Sequence, residues 1–166
     1  MNNILKGLRV VEGSAFIAAP SAGMTLAQLG ADVIRFDNIG GGIDYRRWPL
    51  TKEGESLYWA GLNKGKRSIA VDFQKPEGQE LLTALITQPG QDRGICLTNF
   101  PMKGWLSYES LKQKRDDLIM LAIMGNRDGS SEVDYTVNCA TGLPMITGRG
   151  KNSEPVNHVL PAWDLI

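Results

Sequence analysis

The chain has 166 residues, of which 42% are hydrophobic and 22% are charged, and this composition is typical of a globular domain rather than a disordered or repetitive chain. Eighteen basic residues balance eighteen acidic ones, which argues against nucleic-acid binding through bulk charge. No apolar run predicts a membrane-spanning helix, and residues 1–7 show no secretory signal, so we expect a cytoplasmic protein.

Strands and helices alternate in the sequence pattern of residues 8–123. The predicted elements, in chain order, are strand 8–12, a helix with Pro20 in its first turn, strand 31–36, helix 56–63, strand 67–71, a helix that begins at Pro76, strand 95–97, helix 108–115 and strand 118–123. Such alternation predicts an α/β fold, a Rossmann-like parallel sheet with helices on both faces. Ligands of such sheets bind beyond the carboxyl ends of the strands, so the loops there are the candidate site.

Two details of this pattern concern the later elements. The helix that begins at Pro76 has a helical repeat of apolar residues, which predicts a packing face of Leu81, Leu82, Leu85 and Ile86. Beyond residue 124 the pattern weakens, with a possible helix from Val133 and a stretch rich in glycine and proline.

Cysteine and histidine are too scarce for the usual metal and hydrolase sites. Cys96 and Cys139 lie among apolar residues, which predicts two buried free thiols in a reducing compartment. One histidine, His158, and the absence of a Cys-x-x-Cys pair argue against zinc, so no metal is expected. The same scarcity, without a Gly-x-Ser-x-Gly sequence, disfavours a Ser-His-Asp hydrolase.

Four local motifs are each ambiguous when taken alone. Asp37 ends the second strand, where a dinucleotide-binding fold places its ribose-binding acid, but no Gly-x-Gly-x-x-Gly precedes it, so a plain strand-end role is favoured. The run Asn63-Lys-Gly-Lys-Arg-Ser68 could meet a phosphate, although a solvated turn is the simpler interpretation. Asn99 and Phe100 suit a heterocycle such as adenine, and Asp164 is by composition only an acid beside an aromatic residue.

The joint order of several blocks resembles a known family. The blocks are Leu5–Val11, Gly30–Asp37, Leu62–Ile69 and Asn99-Phe100, and together they resemble the amino-terminal portion of class III (CaiB/BaiF-type) CoA-transferases. Residues 125–138, Gly142-Leu-Pro and 155–164 are most similar to members that move CoA between the two carboxyls of one C5 dicarboxylic acid.

The resemblance implies a catalytic aspartate and a CoA site. Asp164 matches the family's nucleophile, which takes the acyl group from a thioester and then carries CoA as an aspartyl thioester, so that one difficult exchange becomes easier steps. The implied CoA-binding positions are Ile17, Ala18, Arg46, Val71, Asp72, Asn99 and Phe100. Asn38 and Gln74 replace cations that several relatives carry near the phosphates.

The roles of Arg46, Arg47 and His158 stay open. Arg46 and Arg47 could hold the free carboxylate of a dicarboxylic acid, because guanidinium pairs bidentately with carboxylate. Contact with a CoA phosphate is an equal interpretation for Arg46. His158 could donate a hydrogen bond near Asp164, although a packed structural histidine is the simpler expectation.

The resemblance also implies an organisation and competing functions. Residues 1–124 would form the Rossmann-like CoA-binding core, and 125–166 a segment that leads to Asp164 and stops before the second domain. Relatives form interlocked homodimers and continue further, so we expect this chain to be an incomplete, weakly active or inactive piece. The alternatives are an intermolecular acyl-CoA:carboxylate CoA-transferase and a non-catalytic CoA-binding module.

Overall fold

A computed structural model describes residues 3–130 and 132–159, and the chain divides into two compact units, Met1–Ile123 and Met124–Ile166. Helices alternate with strands through the first unit, which confirms the predicted α/β fold. Its elements are β1 (Arg9–Gly13), α1 (Ala18–Gln28), β2 (Asp32–Asp37), α2 (Leu57–Leu62), β3 (Arg67–Ala70), α3 (Pro76–Ile86), β4 (Ile95–Thr98), a 3-10 turn (Gly104–Leu106), α4 (Tyr108–Lys112) and β5 (Ile119–Ala122).

The sheet is parallel and has β1 at its centre. Its order is β3-β2-β1-β4-β5, and Val10 of β1 pairs with Val33 of β2 on one side and with Ile95 of β4 on the other. The chain therefore builds the sheet outward in one direction from β1 and then returns to build the other half. The loops after β1 and β4 diverge at this switch point, where parallel sheets usually bind ligands.

Two hydrophobic cores cover the two faces of the sheet. Successive side chains of a strand point to opposite faces, so Val10 packs with Val33, Leu97 and Ala19 of α1 on one side. Val11 and Phe36 belong to the core on the other side, which also contains Cys96, Leu82 and Ile86 of α3, Leu106, Leu111 of α4, and Leu118. Helices on both faces are thus confirmed.

The start of α3 was predicted correctly, but its packing face was predicted only in part. Pro76 stands at the start of the helix, where its missing N–H is not needed. Leu82 and Ile86 are fully buried as predicted, but Leu81 is 51% exposed, so its assignment to the packing face is wrong. Gly78 sets this orientation: a Cβ there would lie 2.1 Å from the Asp72 carbonyl oxygen, and this close approach turns the Gly78–Leu82–Ile86 stripe inward.

The second unit contains α5 (Asp134–Ala140) and α6 (Leu143–Ile146). The helix predicted from Val133 is α5, whereas α6 was not predicted; it follows Gly142, whose positive φ of 77° turns the chain. Cys139 is exposed, so the prediction of two buried thiols holds only for Cys96. No helix among residues 3–130 and 132–159 is long and apolar enough to cross a membrane.

Candidate functional site

A cavity of about 450 Å³ opens at the carboxyl edge of the first unit's sheet. The loops after β1, β2 and β4 meet there, as the parallel topology predicts. Apolar walls come from Ile43, Phe73, Phe100 and Trp105, while Asp37 and Lys103 are its ionisable groups. Few charges among many aromatic carbons are typical of a pocket for an organic ligand.

The aromatic wall is built around the buried Phe36 ring. Phe36 meets the edges of Phe73 and Phe100, with ring centroids 5.7 and 6.1 Å apart. Phe73 also lies 6.2 Å from Phe100 and 6.4 Å from Trp105. Offset and edge-to-face rings hold one another in place, so the wall is a firm surface against which a flat heterocycle could pack.

The turn between β1 and α1 is held by side chains from three other parts of the chain. The Asn99 amide accepts a hydrogen bond from the Ala15 N–H at 2.9 Å and donates one to the Ala15 carbonyl at 2.7 Å. Arg35 Nη2 donates to the Ser14 carbonyl at 2.8 Å, and Asp44 Oδ2 accepts from the Phe16 N–H at 2.5 Å. Asn99 therefore uses its amide to hold the backbone of this turn.

Four charged side chains are buried beneath this turn. Arg35 is bidentate on Asp37, with Nε to Oδ2 at 2.8 Å and Nη2 to Oδ1 at 2.9 Å. Lys66 Nζ lies 2.8 Å from both carboxylate oxygens of Glu12, and Arg35 Nη1 lies 3.3 Å from Glu12 Oε1. Asn63 Oδ1 accepts from both cations. Two positive and two negative charges thus compensate one another.

Burial and the neighbouring charges shift the pKa values of the two cations in opposite directions. Burial alone would lower the pKa of the Arg35 guanidinium, but its hydrogen bonds and charge interaction with Asp37, with a further contribution from Glu12, raise that pKa above the usual value. Burial also lowers the pKa of the Lys66 ammonium, and Glu12 offsets only part of this. On the other face of the sheet, burial raises the pKa of the Cys96 thiol to about 12, so that thiol is no nucleophile near neutral pH.

This network corrects two interpretations of the sequence. The Lys66 side chain is only 1% exposed, so the turn that contains it is not simply solvated, and its ammonium is bound by Glu12. Asp37 is likewise more than a plain strand-end residue, because both of its carboxylate oxygens accept hydrogen bonds from Arg35. Neither a phosphate role for Lys66 nor a ribose role for Asp37 fits these contacts.

Two glycines make room for the network. A Cβ on Gly23, in α1, would lie 1.7 Å from Glu12 Oε2, and a Cβ on Gly42 would lie 2.4 Å from Asp37 Oδ1. Sequence reasoning missed this network of Glu12, Arg35, Asp37 and Lys66, and it also missed the contact of Asp44 with the Phe16 N–H. One signal was available, because Arg35 interrupts the apolar residues of predicted strand 31–36, and a buried arginine requires carboxylate partners.

The predicted CoA-binding residues fall at the same edge of the sheet but only one lines the cavity. That residue is Phe100. Ile17 and Ala18 form the start of α1 and are half-buried. Val71 is buried and donates its N–H to the Asp37 carbonyl at 2.9 Å, while Asp72 accepts from the Gln74 N–H at 3.2 Å and lies 3.5 Å from Lys75.

The two adjacent arginines have different surroundings. The Arg47 guanidinium lies 5.1 Å from the Phe16 ring centroid and 4.8 Å from that of Tyr58, and Nη1 is 3.2 Å from Asp44 Oδ1. Arg46 is exposed and has no hydrogen bond or ion pair to any residue in the described ranges 3–130 and 132–159. Of the two, Arg46 is the cation free to meet a ligand's anionic group.

The remaining predicted residues belong to the second unit. His158 is exposed, and Asn157 Oδ1 accepts its backbone N–H at 2.9 Å, so the expectation of a packed histidine is not met. Asp164 lies outside the described residues. Within the part of the chain that the structure describes, no three His, Cys, Asp or Glu side chains are grouped to hold a metal ion.

Comparisons with known proteins match this chain over most or all of its length. The family model of CoA-transferase family III matches residues 5–166. The 2-methylfumaryl-CoA isomerase of Chloroflexus aurantiacus is 66% identical, over 100% of this chain and 41% of that protein. The succinate–glutarate CoA-transferase of Agrobacterium fabrum is 37% identical, over 87% of this chain and 39% of that protein.

A solved structure shows the same fold. A CAIB/BAIF family protein from Brucella suis superimposes with a TM-score of 0.86 at 31% identity, covering 99% of this chain and 46% of that one. The chain thus spans about two fifths of the length of the curated relatives it matches, and a little under half of this structural neighbour.

Proposed function

The chain belongs to CoA-transferase family III, and from this premise we propose that its first unit binds the CoA part of an acyl-CoA substrate at the carboxyl edge of the sheet. The observation that carries the proposal is the cavity at the switch point of the sheet, with aromatic walls and a turn clamped beside it. Phe100, which the family resemblance implies as a CoA contact, lines that cavity.

Different residues of the cavity suit different parts of the CoA molecule. Phe73, Phe100 and Trp105 offer ring surfaces for the adenine, since stacking on aromatic side chains suits any base. Arg46 is free of partners within the described ranges, and Lys103 lines the cavity, so we assign phosphate contacts to these two cations. Asn38, which replaces a cation of several relatives, also lines the cavity and provides no charge there.

We further propose that Asp164 is the nucleophile. Its carboxylate attacks the thioester carbonyl, the C–S bond breaks, and CoA leaves as a thiolate while a mixed anhydride forms on the aspartate. The thiolate then attacks the aspartyl carbonyl, which releases the free acid and leaves an aspartyl thioester. A carboxylate of the acid attacks that thioester, its C–S bond breaks, and a second mixed anhydride and the CoA thiolate form. The thiolate then attacks the acyl carbonyl of this anhydride, which gives the new acyl-CoA and regenerates Asp164.

The substrate that we propose is 2-methylfumaryl-CoA (mesaconyl-CoA), with CoA moving from C1 to C4 of one dicarboxylic acid. The 66% identity to an enzyme of that name supports this choice over transfer between two different acids, for which the relative cited above is 37% identical. The family resemblance also supports a cytoplasmic homodimer. The second candidate is therefore an intermolecular CoA-transferase.

CoA binding is tested by titrating CoA into the chain and into Phe100→Leu, with isothermal calorimetry as the measurement. Loss of a stacking surface costs about 1–3 kcal/mol per base, so we expect the affinity of Phe100→Leu to fall about fivefold to a hundredfold. Tyr108→Leu is the matched control, because Tyr108 is an aromatic residue of α4 that does not line the cavity. Equal affinities in all three proteins would contradict the site.

The chemistry is tested with isotope-labelled 2-methylfumaryl-CoA and borohydride trapping. Borohydride reduces an aspartyl thioester to the alcohol and releases CoA, so we expect the Asp164 side chain to be converted to that of homoserine, with no conversion in Asp164→Asn or after omission of the thioester. Conversion of another carboxyl side chain in Asp164→Asn would show that another group is the nucleophile. Adding unlabelled free acid separates the two candidates: incorporation of that acid into the thioester product indicates intermolecular transfer, and its exclusion indicates isomerisation.

A further inference from the structure

Two walls of the cavity are tied together by one buried carboxylate. The first wall is the β1–α1 turn, which contributes Ser14 and Ala15, and the second is the loop Gly41–Ile43. Asp44 follows that loop directly and is 3% exposed. Its Oδ2 accepts the hydrogen bond of the Phe16 N–H at 2.5 Å, across 28 residues of sequence. Asp44 is thus anchored in one wall and holds the backbone of the other.

The backbone of Phe16 shows that this contact constrains the turn. Phe16 has a φ of +63°, in the left-handed region that residues other than glycine rarely adopt. Such conformations persist where the surroundings over-determine them. Here Asn99 holds both backbone groups of Ala15, and Asp44 holds the next N–H. The turn therefore enters α1 at Ile17 and Ala18 in one fixed direction.

We propose that Asp44 is a positioning residue for CoA binding. It fixes the β1–α1 turn against the Gly41–Ile43 loop, so that the cavity has its binding shape before the ligand arrives. The inference rests on the proposed function. Asp44 acts through the Phe16 N–H and contacts no substrate. Its hold on the turn needs an acceptor oxygen at this place more than a negative charge, because the donor there is a neutral backbone amide. Its other oxygen, Oδ1, lies 3.2 Å from Nη1 of the partly exposed Arg47, and such a partly exposed pair contributes little.

That difference gives the test its two variants. Asp44→Ala removes the acceptor, whereas Asp44→Asn keeps an amide oxygen at the same position. We expect CoA affinity, measured by calorimetry on the full chain, to fall at least about tenfold in Asp44→Ala, since a hydrogen bond from the backbone to a charged group is lost. We expect the CoA affinity of Asp44→Asn to stay within about threefold of that of the original chain. Its amide oxygen still accepts the Phe16 N–H, although a neutral acceptor binds it more weakly than the carboxylate does.

A spectroscopic readout separates positioning from general stability. The Phe16 amide proton should resonate at low field because of its hydrogen bond to the carboxylate. We expect this resonance to move upfield, and its hydrogen exchange to accelerate, in Asp44→Ala far more than in Asp44→Asn. Ile86→Val is the control, because Ile86 is fully buried in α3 and does not line the cavity. It should lower Tm without changing CoA affinity or the Phe16 resonance.

The positioning role of Asp44 is contradicted if Asp44→Ala binds CoA as tightly as the original chain does, or if Asp44→Asn loses as much affinity as Asp44→Ala. It is also contradicted if the Phe16 amide resonance is the same in all proteins. Failure of the original chain itself to bind CoA is a different outcome, because it contradicts the proposed function. In that case the Phe16 resonance and its exchange rate alone decide whether Asp44 holds the turn.

Discussion

The two edges of the sheet both carry ion pairs, but they place them in different environments. At the amino edge, where the strands begin, Asp32 pairs with Arg9 at 2.8 Å and with Arg67 at 2.7 Å, and these side chains are 22% to 61% exposed. At the carboxyl edge, the side chains of Glu12, Arg35, Asp37 and Lys66 are at most 6% exposed. Buried charges are costly unless fully paired, whereas exposed pairs contribute little.

The two edges therefore serve different purposes. The amino edge can vary its charges at small cost, because water solvates whatever is left unpaired. The carboxyl edge holds the turn and the loop that shape the cavity, and its charges permit one arrangement. Substitutions at the carboxyl edge should therefore change both stability and CoA binding, and those at the amino edge should change stability alone.

The largest effect is expected from Arg35→Leu. This change leaves Asp37 without its bidentate partner and Glu12 with Lys66 alone, so the free energy of unfolding should fall by about 3–5 kcal/mol. Urea denaturation measures this fall, and CoA affinity should drop with it. Arg67→Leu at the amino edge is the matched control and should cost no more than about 1 kcal/mol. Similar losses in both variants would remove the contrast between the edges.

A smaller effect is expected from Gly23→Ala in α1. In an open helix the change would stabilise by about 1 kcal/mol, but here the new methyl group would lie 1.7 Å from Glu12 Oε2. Overpacking should lower the free energy of unfolding by about 1–3 kcal/mol. Gly61→Ala in α2, where a Cβ meets nothing within 4 Å, is the control and should be neutral or stabilising. A stabilised Gly23→Ala variant would show that Glu12 can move aside.

The smallest effect is expected from Asp32→Asn at the amino edge, and it should depend on pH. Burial raises the pKa of Asp32, but the hydrogen bonds and charges of Arg67 and Arg9 outweigh it, and the net pKa is lowered. A carboxyl group with a lowered pKa stabilises the fold at pH values above its ordinary pKa. This contribution is lost as the pH falls through the lowered pKa.

We therefore expect Asp32→Asn to cost no more than about 1 kcal/mol near neutral pH, since the pair is partly exposed. The difference from the original chain should vanish in acid, when the carboxyl of the original chain is itself protonated. Urea denaturation across the pH range checks this, with CoA affinity at neutral pH expected to be unchanged. A stability difference that persists in strong acid would mean that the ion pairs are not its cause.

Most helices and strands of the first unit could be predicted because the signals for them lie within short stretches of sequence. Pro76 fixes the start of α3, and the apolar strands alternate with helical repeats over short windows. The spatial order β3-β2-β1-β4-β5 has no such signal, because it depends on which distant strands pair. Leu81 shows the same limit on a smaller scale, since the rotation of α3 follows from the contact of Gly78 with the Asp72 backbone.

The candidate site divides in a similar way. Convergence of the loops at the carboxyl edge followed from parallel topology alone, and Phe100 lines the cavity there. The charged residues could not be assigned from their neighbours in sequence. Lys66 is buried because Glu12 reaches it across 54 residues, and Arg47 differs from Arg46 because Phe16, Tyr58 and Asp44 surround it. The role of a charged side chain therefore depends on partners that are distant in sequence and meet it only in the folded chain.

The central position of β1 has a consequence for how the chain is made. During synthesis β2, one neighbour of β1, follows it within about twenty residues, but β4, the other neighbour, begins only at Ile95. Until then the middle of the sheet has a bare row of amide and carbonyl groups next to Val10 and Val11. Pairing across such sequence separations is slow. A growing chain thus remains prone to self-association along this strand until its fourth strand has been made.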